Sequence, residues 1–131
     1  MSVFDKLFGK KNEGAVKTKA TVPWIPLVSM GQLEEIVQQS KSKTQVIFKH
    51  STSCGISRMV MNSFLADYSF TEDQLKLYYL DLHRYREISN GVATTFKVVH
   101  QSPQLLIIRN GLPVANASHG AITQIDLEKY L

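Results

Sequence analysis

A chain of 131 residues, 44% apolar and 20% charged, has the length for one domain with its own core and the composition of a folded rather than a disordered protein. No apolar run approaches the roughly 20 residues that a membrane-spanning helix needs. The net charge of +4 is concentrated in residues 1–20, where Lys6, Lys10, Lys11, Lys17 and Lys19 stand against Asp5 and Glu13 for +3, so the body carries too little positive charge for a nucleic-acid face.

Residues 1–20 read as a basic, loosely ordered tail, in which Phe4, Leu7 and Phe8 share a helical spacing over barely two turns. Residues 21–131 form the single expected domain. The start MSVFDKLFGKK has no apolar core or small-residue cleavage site of a secretory signal, and one cysteine cannot form an internal disulfide. A reducing, cytoplasmic setting is the expectation.

In VPWIPL, Pro23 and Pro26 bracket Trp24, which predicts an extended lead-in whose indole packs on the domain. Ser29 then caps a helix, MGQLEEIVQQS, with Leu33, Ile36 and Val37 on one face. TQVIFKH is a short apolar run rich in β-branched residues, the pattern of a strand covered on both sides. A helix from about Cys54 to Tyr68 follows, carrying Met59, Val60, Ser63, Phe64 and Ala66, and then a second apolar strand in QLKLYYLDL.

Ile88, Val92 and Phe96 recur every four residues in REISNGVATTFKV, a helical spacing that Gly91 weakens. SPQLLIIRNGLPVAN reads as a hairpin turning at Asn110-Gly111. A final helix is expected over AITQIDLEKYL from Ile122, Ile125 and Leu127 or Leu131. Strand–helix–strand, then helix, hairpin and helix, implies an α/β mixed central sheet of about four strands with helices on both faces, the thioredoxin-like arrangement.

The chemistry concentrates in KHSTSCGIS, residues 49–57. Cys54 falls where a strand passes into a helix, and unpaired N–H groups with the positive end of the helix dipole stabilise an anion there. The thiolate is such an anion and is the nucleophile of disulfide exchange. Thr52 and Ser53 are candidate N-caps, while Lys49, His50 and Arg58 are candidate electrostatic supports. Polar, small neighbours, with Gly55 on the helix side, mark an open loop rather than a core segment. His50, His100 and His119 lack tight ligand spacing with Cys54, so no metal is expected.

Ser102-Pro103, directly before QLLII, stands where a thioredoxin-like sheet places a cis-proline facing its cysteine, leaving the preceding backbone free to pair with an extended substrate. Ser57, three residues after Cys54, occupies the position of a dithiol enzyme's second cysteine. A hydroxyl cannot exchange with disulfides, but it can donate a hydrogen bond to a thiolate.

Together HSTSCGIS, YYLDLHRYREISN, HQSPQLLIIRNG and the later Ser-His pair closely resemble the YtxJ-type bacilliredoxins, small thioredoxin-like proteins of the bacillithiol system, from about Trp24 to the C-terminus. The resemblance implies monothiol removal of bacillithiol from mixed disulfides with client proteins. Cys54 matches the family's nucleophile and Ser102-Pro103 its cis-proline segment; from their places beside the thiol, Ser57 is taken as a second catalytic candidate, and Thr52, Ser53 and Gly55, with Ser102 and Pro103, as the expected substrate-binding residues. Bacillithiol is then a co-substrate, not a cofactor. The buried carboxylate that thioredoxins carry six positions before the cysteine is here Phe48, so no internal proton acceptor of that kind is expected.

Two other readings compete. Monothiol glutaredoxins, which carry iron–sulfur clusters, have a Cys-Gly-Phe-Ser site one residue away from Cys54-Gly55-Ile56-Ser57, but their flanks differ: Thr52 replaces a proline, and Asn110-Gly111 replaces a Gly-Gly pair. The other is a non-catalytic thioredoxin-like interaction module of a stress response.

Overall fold

The computed structural model describes residues 22–131; the expected tail over residues 1–20 lies outside them. Five strands and three helices follow in the order β1 (Trp24–Pro26), α1 (Met30–Gln39), β2 (Thr44–His50), α2 (Gly55–Ala66), β3 (Leu75–Asp81), α3 (Arg86–Phe96), β4 (Gln104–Arg109) and β5 (Leu112–Ser118), and two 3₁₀ segments, His119–Gln124 and Leu127–Tyr130, complete the chain. The sheet order is β1-β3-β2-β4-β5. β3 is parallel to β1 and β2, whereas β4 is antiparallel to β2 and β5.

The expected mixed sheet is present with one strand more than the sequence suggested. The lead-in around Trp24 pairs with Leu77–Tyr79, and Leu27 then donates to the Tyr79 carbonyl at 2.8 Å. Three residues beside prolines give no alternation to read, and a proline is tolerated there because β1 is an edge strand. The Trp24 ring meets Tyr79 and Phe48 edge-on, with centroids 5.4 and 6.3 Å apart, so the indole does pack on the domain.

β2 is buried at all seven positions, and its alternation divides the interior into two cores. Val46 and Phe48, with Leu77, Leu105 and Ile107, pack under Val60 and Phe64 of α2 and under Ile122 and Leu127. Ile47, with Tyr78, Leu80, Leu106 and Ile108, packs on the opposite face against Leu33 and Ile36 of α1 and Ile88, Val92 and Phe96 of α3. Each such aliphatic side chain taken from water contributes roughly 1.5–3 kcal/mol.

α1 begins with a full capping box, Ser29 and Gln32 each bonding the other's backbone. Gly91 has a packing reason inside α3: a Cβ there would come within 2.8 Å of the end of the Met30 side chain and 3.1 Å of Leu33, so these side chains of α1 lie directly over the glycine. Asn110 and Gly111 both take positive φ, 53° and 76°, as a two-residue type I′ hairpin turn requires.

The last expected helix is not α-helical. Ile125 is extended, with ψ of 135°, and splits the segment, after which the Asp126 side chain caps the second 3₁₀ turn. Ile122 and Leu127 reach the core, whereas Leu131 is exposed. α2 also ends two residues early, at Ala66, and its buried residues are Ser57, Val60 and Phe64; Met59, Ser63 and Ala66 face outward. No helix among the described residues is long and apolar enough to cross a membrane.

Candidate active site

The site forms where β2 leaves the sheet. Ser51 to Cys54 make one tight turn, closed by the Cys54 N–H on the Ser51 carbonyl at 3.2 Å, and α2 begins at once. Cys54 is therefore the N-cap residue itself, in an extended conformation with φ −108° and ψ 121°, and its side chain makes no capping hydrogen bond. This corrects the sequence reading: Thr52 and Ser53 are exposed on the turn and are not caps. A two-residue turn leaves no room for a separate cap ahead of the cysteine. The thiol is half-buried at the mouth of the helix, beside the N–H groups that have no partner within the helix.

Around the thiol the surface is open. Gly55 is exposed, and a Cβ added to it would meet nothing within 4 Å. Ile56 and Met59 are 63% and 68% exposed, which gives the first turns of α2 an apolar surface beside the thiol. Arg58, also exposed, bonds the Cys54 carbonyl through its backbone at 3.1 Å.

Beneath this rim the polar groups are buried and paired. Ser57 is fully buried; its Oγ accepts the Ser51 N–H at 3.1 Å and lies 2.8 Å from Nδ1 of His50. The expected hydrogen bond from Ser57 to the thiolate is thus not its resting arrangement, because the hydroxyl is already engaged below. His50, 4% exposed, has its ring against Tyr79 with centroids 5.8 Å apart. Burial, reinforced by Arg58 and opposed by Asp81, holds this imidazole below the usual histidine range. Phe48, at the carboxylate position of thioredoxins, packs on Phe64. No carboxylate takes that place, and the titratable group buried under the helix start is the His50 imidazole, two residues further along β2.

Lys49 is not part of this cluster. Strand alternation turns it to the α1/α3 face, where it is fully buried with Nζ 3.2 Å from Nδ1 of His100. Desolvation lowers its pKa to about 8, and burial and the Lys49 charge, followed by Arg86, also lower that of His100. Lys49 is accordingly no direct electrostatic support for the thiol.

The Ser102–Pro103 peptide is cis, as the sequence position implied. Lys49 pairs with Gln104 across β2 and β4, so one further step of the register sets Pro103 opposite His50. Pro103 is buried, Ser102 is half-buried, and the Pro103 carbonyl accepts the His119 N–H at 3.0 Å. His119 adopts φ 58° to make this contact. Among the described residues no three histidine, cysteine or acidic side chains converge as a metal site.

One neighbour was missed. His83 Nε2 lies 2.8 Å from Oγ of Ser51, and that oxygen is 3.5 Å from the Ser53 hydroxyl. The signal was present in YYLDLHRY: parallel strands end together, His50 pairs with Asp81, and residues just past β3 must therefore reach the loop after β2.

Comparison with known proteins agrees with this geometry. A solved thioredoxin-fold structure assigned to the oxidoreductases is 32% identical, with a TM-score of 0.65 over 76% of this chain and 86% of its own. Thioredoxins of Schistosoma mansoni and Trypanosoma brucei brucei superpose with a TM-score of 0.62 each, at 20% and 18% identity, over 82% and 80% of this chain and 95% and 87% of theirs. These two share the fold. The family model for the monothiol bacilliredoxin BrxC matches residues 25–127, which takes in the cysteine turn, the cis-proline and both cores: the chain is a thioredoxin-fold redox protein and belongs to the monothiol bacilliredoxin family.

Proposed function

We propose that the protein removes bacillithiol from client proteins by monothiol exchange at Cys54, in the cytoplasm. The Cys54 thiolate attacks the bacillithiol sulfur of a mixed disulfide, a new S–S bond forms to Cys54, and the client leaves as a thiolate that takes up a proton. A second small thiol then attacks the Cys54 adduct, releasing the symmetrical small-molecule disulfide and restoring the thiol. The observation that carries this reading is the unencumbered N-cap thiol of Cys54 with a buried serine at position 57 and no other cysteine in the chain: an adduct formed there has no internal thiol to resolve it.

The test is mass spectrometry of the protein after reaction with a bacillithiolated client. Wild type is expected to hold one bacillithiol on Cys54 until free thiol is added, and a wild type that never acquires the adduct overturns the reading. The Ser57→Cys variant places a thiol one helical turn away, so after a single transfer it should lose the adduct and gain a disulfide between Cys54 and the introduced thiol.

A cluster-carrying glutaredoxin would behave differently. Anaerobic reconstitution with iron, sulfide and glutathione should leave this protein colourless, and a stoichiometric absorbing cluster would favour that rival.

A further inference from the structure

The fold buries a cation without giving it a counter-charge. Lys49 is fully buried, and its ammonium has the His100 imidazole as its partner at 3.2 Å. The charged groups that act on His100 are Lys49 from β2 and Arg86 from α3, both positive, with no carboxylate beside them. Lys49 pairs with Gln104 across β2 and β4, which sets the two side chains on one face of the sheet, and Gln104 lines an open groove of about 580 Å³. His100 stands between Val99 and Gln101, which line the groove as well. The uncompensated charge therefore lies behind one wall of it.

The frame of the groove is held by its own hydrogen bonds. Gln104 is buried, its Nε2 donates to the Val99 carbonyl at 3.0 Å and its Oε1 accepts the Gln101 N–H at 3.4 Å, while the His119 N–H is fixed on the Pro103 carbonyl at 3.0 Å. The side chains that face the groove are not committed in this way. Lys97, Gln101, Asn116, Ser118 and His119 line it, and none of the five side chains hydrogen-bonds another described residue. Among the described residues no carboxylate lines it. Three non-glycine residues there have a left-handed backbone, and two of them, Lys97 at φ 56° and His119 at φ 58°, stand on this groove. Lys97 ends α3 in the conformation for which glycine is the usual choice, so the chain accepts backbone strain to place an ammonium at the rim.

We propose that this groove binds a small hydroxylated carboxylate, its acid group held by Lys97 and His119 and its hydroxyls by Gln101, Asn116 and Ser118. The ammonium and imidazole N–H groups suit a carboxylate, with which charge-assisted hydrogen bonds are the strong ones. Side-chain amides and a hydroxyl both donate and accept, as alcohol groups do. The bound negative charge supplies what Lys49 and His100 lack, and the wall between them, with little water in it, weakens that attraction far less than bulk solvent would. The volume is within the range of small-molecule sites. Two sources carry this chemistry, a free hydroxy acid and the non-thiol arm of a small thiol joined to Cys54.

Tartrate is the probe, added at constant ionic strength to the isotope-labelled full chain and followed by NMR. The amides of Lys97, Gln101, Asn116, Ser118 and His119 should move along one saturation curve. Threitol, the same carbon chain without charge, and inorganic phosphate, charge without the chain, should each bind at least about tenfold more weakly. Lys97→Glu, a change at an exposed position, should weaken tartrate roughly tenfold. A second reading comes from behind the wall: bound tartrate should raise the His100 midpoint by about half a pH unit, since it offsets the charges of Lys49 and Arg86. Shifts that never saturate, or phosphate that binds as well as tartrate, mean an adventitious ion only and overturn the site. A Lys97→Glu protein that binds like wild type, or a His100 midpoint that saturating tartrate leaves unmoved, overturns it too. Repeating the titration with bacillithiol on Cys54 separates the sources, because an adduct that blocks tartrate marks the arm of a small thiol and one that does not marks a free acid. Only this last comparison rests on the proposed exchange, so a Cys54 that takes no adduct defeats that reading while the tartrate results still decide the groove.

Discussion

Cys54→Ser is expected to reduce thiol–disulfide exchange to the buffer background while making the protein slightly more stable. The loss follows from chemistry: the chain has no other cysteine, and a hydroxyl does not exchange with a disulfide. The gain follows from position. Cys54 occupies the N-cap of α2 without making a side-chain capping bond, whereas serine there can accept from the N2 or N3 amide, an interaction worth roughly 0.5–1 kcal/mol. Urea unfolding and a client-release assay on the same preparations would check both halves. If the serine variant kept measurable exchange, the sulfur would not be the reacting atom. If it unfolded earlier than wild type, the thiol would have a structural role at the helix start.

Lys49→Met should raise stability by roughly 1–3 kcal/mol near neutral pH, since replacing a buried charge with a well-packed apolar side chain of similar volume is often stabilising. Lys49 is fully buried with a histidine nitrogen as its partner. Its pKa in the folded protein, about 8 against an ordinary 10.5, fixes the sign. The unfolded chain binds the proton more tightly than the fold does, so the charge destabilises the fold fully below about pH 8. That cost declines as pH rises toward 10.5, with roughly 3 kcal/mol as its ceiling. Wild type should therefore gain on the variant across that window, and the two should converge above it. Urea midpoints at pH 7, 9 and 10.5 would show this. A variant less stable than wild type at pH 7, with no convergence, would mean that the ammonium is well compensated in the fold.

The same residue shows where the sequence ceased to be informative. Lys49 and His50 are consecutive, and the strand pattern of TQVIFKH dictates that they point to opposite faces. Nothing in seven residues says which face lies under α2, so both stand in the sequence as candidate supports of the thiol, and only His50 lies on its face. Features set by local chemistry were legible: the Ser29 cap, the Asn110-Gly111 turn and the fully covered β2 all follow from residues within a few positions of one another. Features set by distant partners were not. The pairing of Trp24–Pro26 with Leu77–Tyr79 depends on a register some fifty residues away. The bond between His83 and Ser51 likewise depends on how β3 aligns with β2. The C-terminal segment misled in another way, because its apolar spacing did seat Ile122 and Leu127 in the core, yet the extended Ile125 divides it and each piece winds as a 3₁₀ turn.

Both outer strands of the sheet contain a proline, Pro26 in β1 and Pro113 in β5, and the pairing of β4 with β5 is irregular at Ile107/Ile108, next to Pro113. A residue without an N–H interrupts the row of donors that a docking strand would use, and a local irregularity bends the row out of line. Among the described residues, each edge thus offers a second molecule only a short or broken row of donors and acceptors. Edge-to-edge association between copies, even when crowded or partly oxidised, is thereby disfavoured relative to side-chain contact.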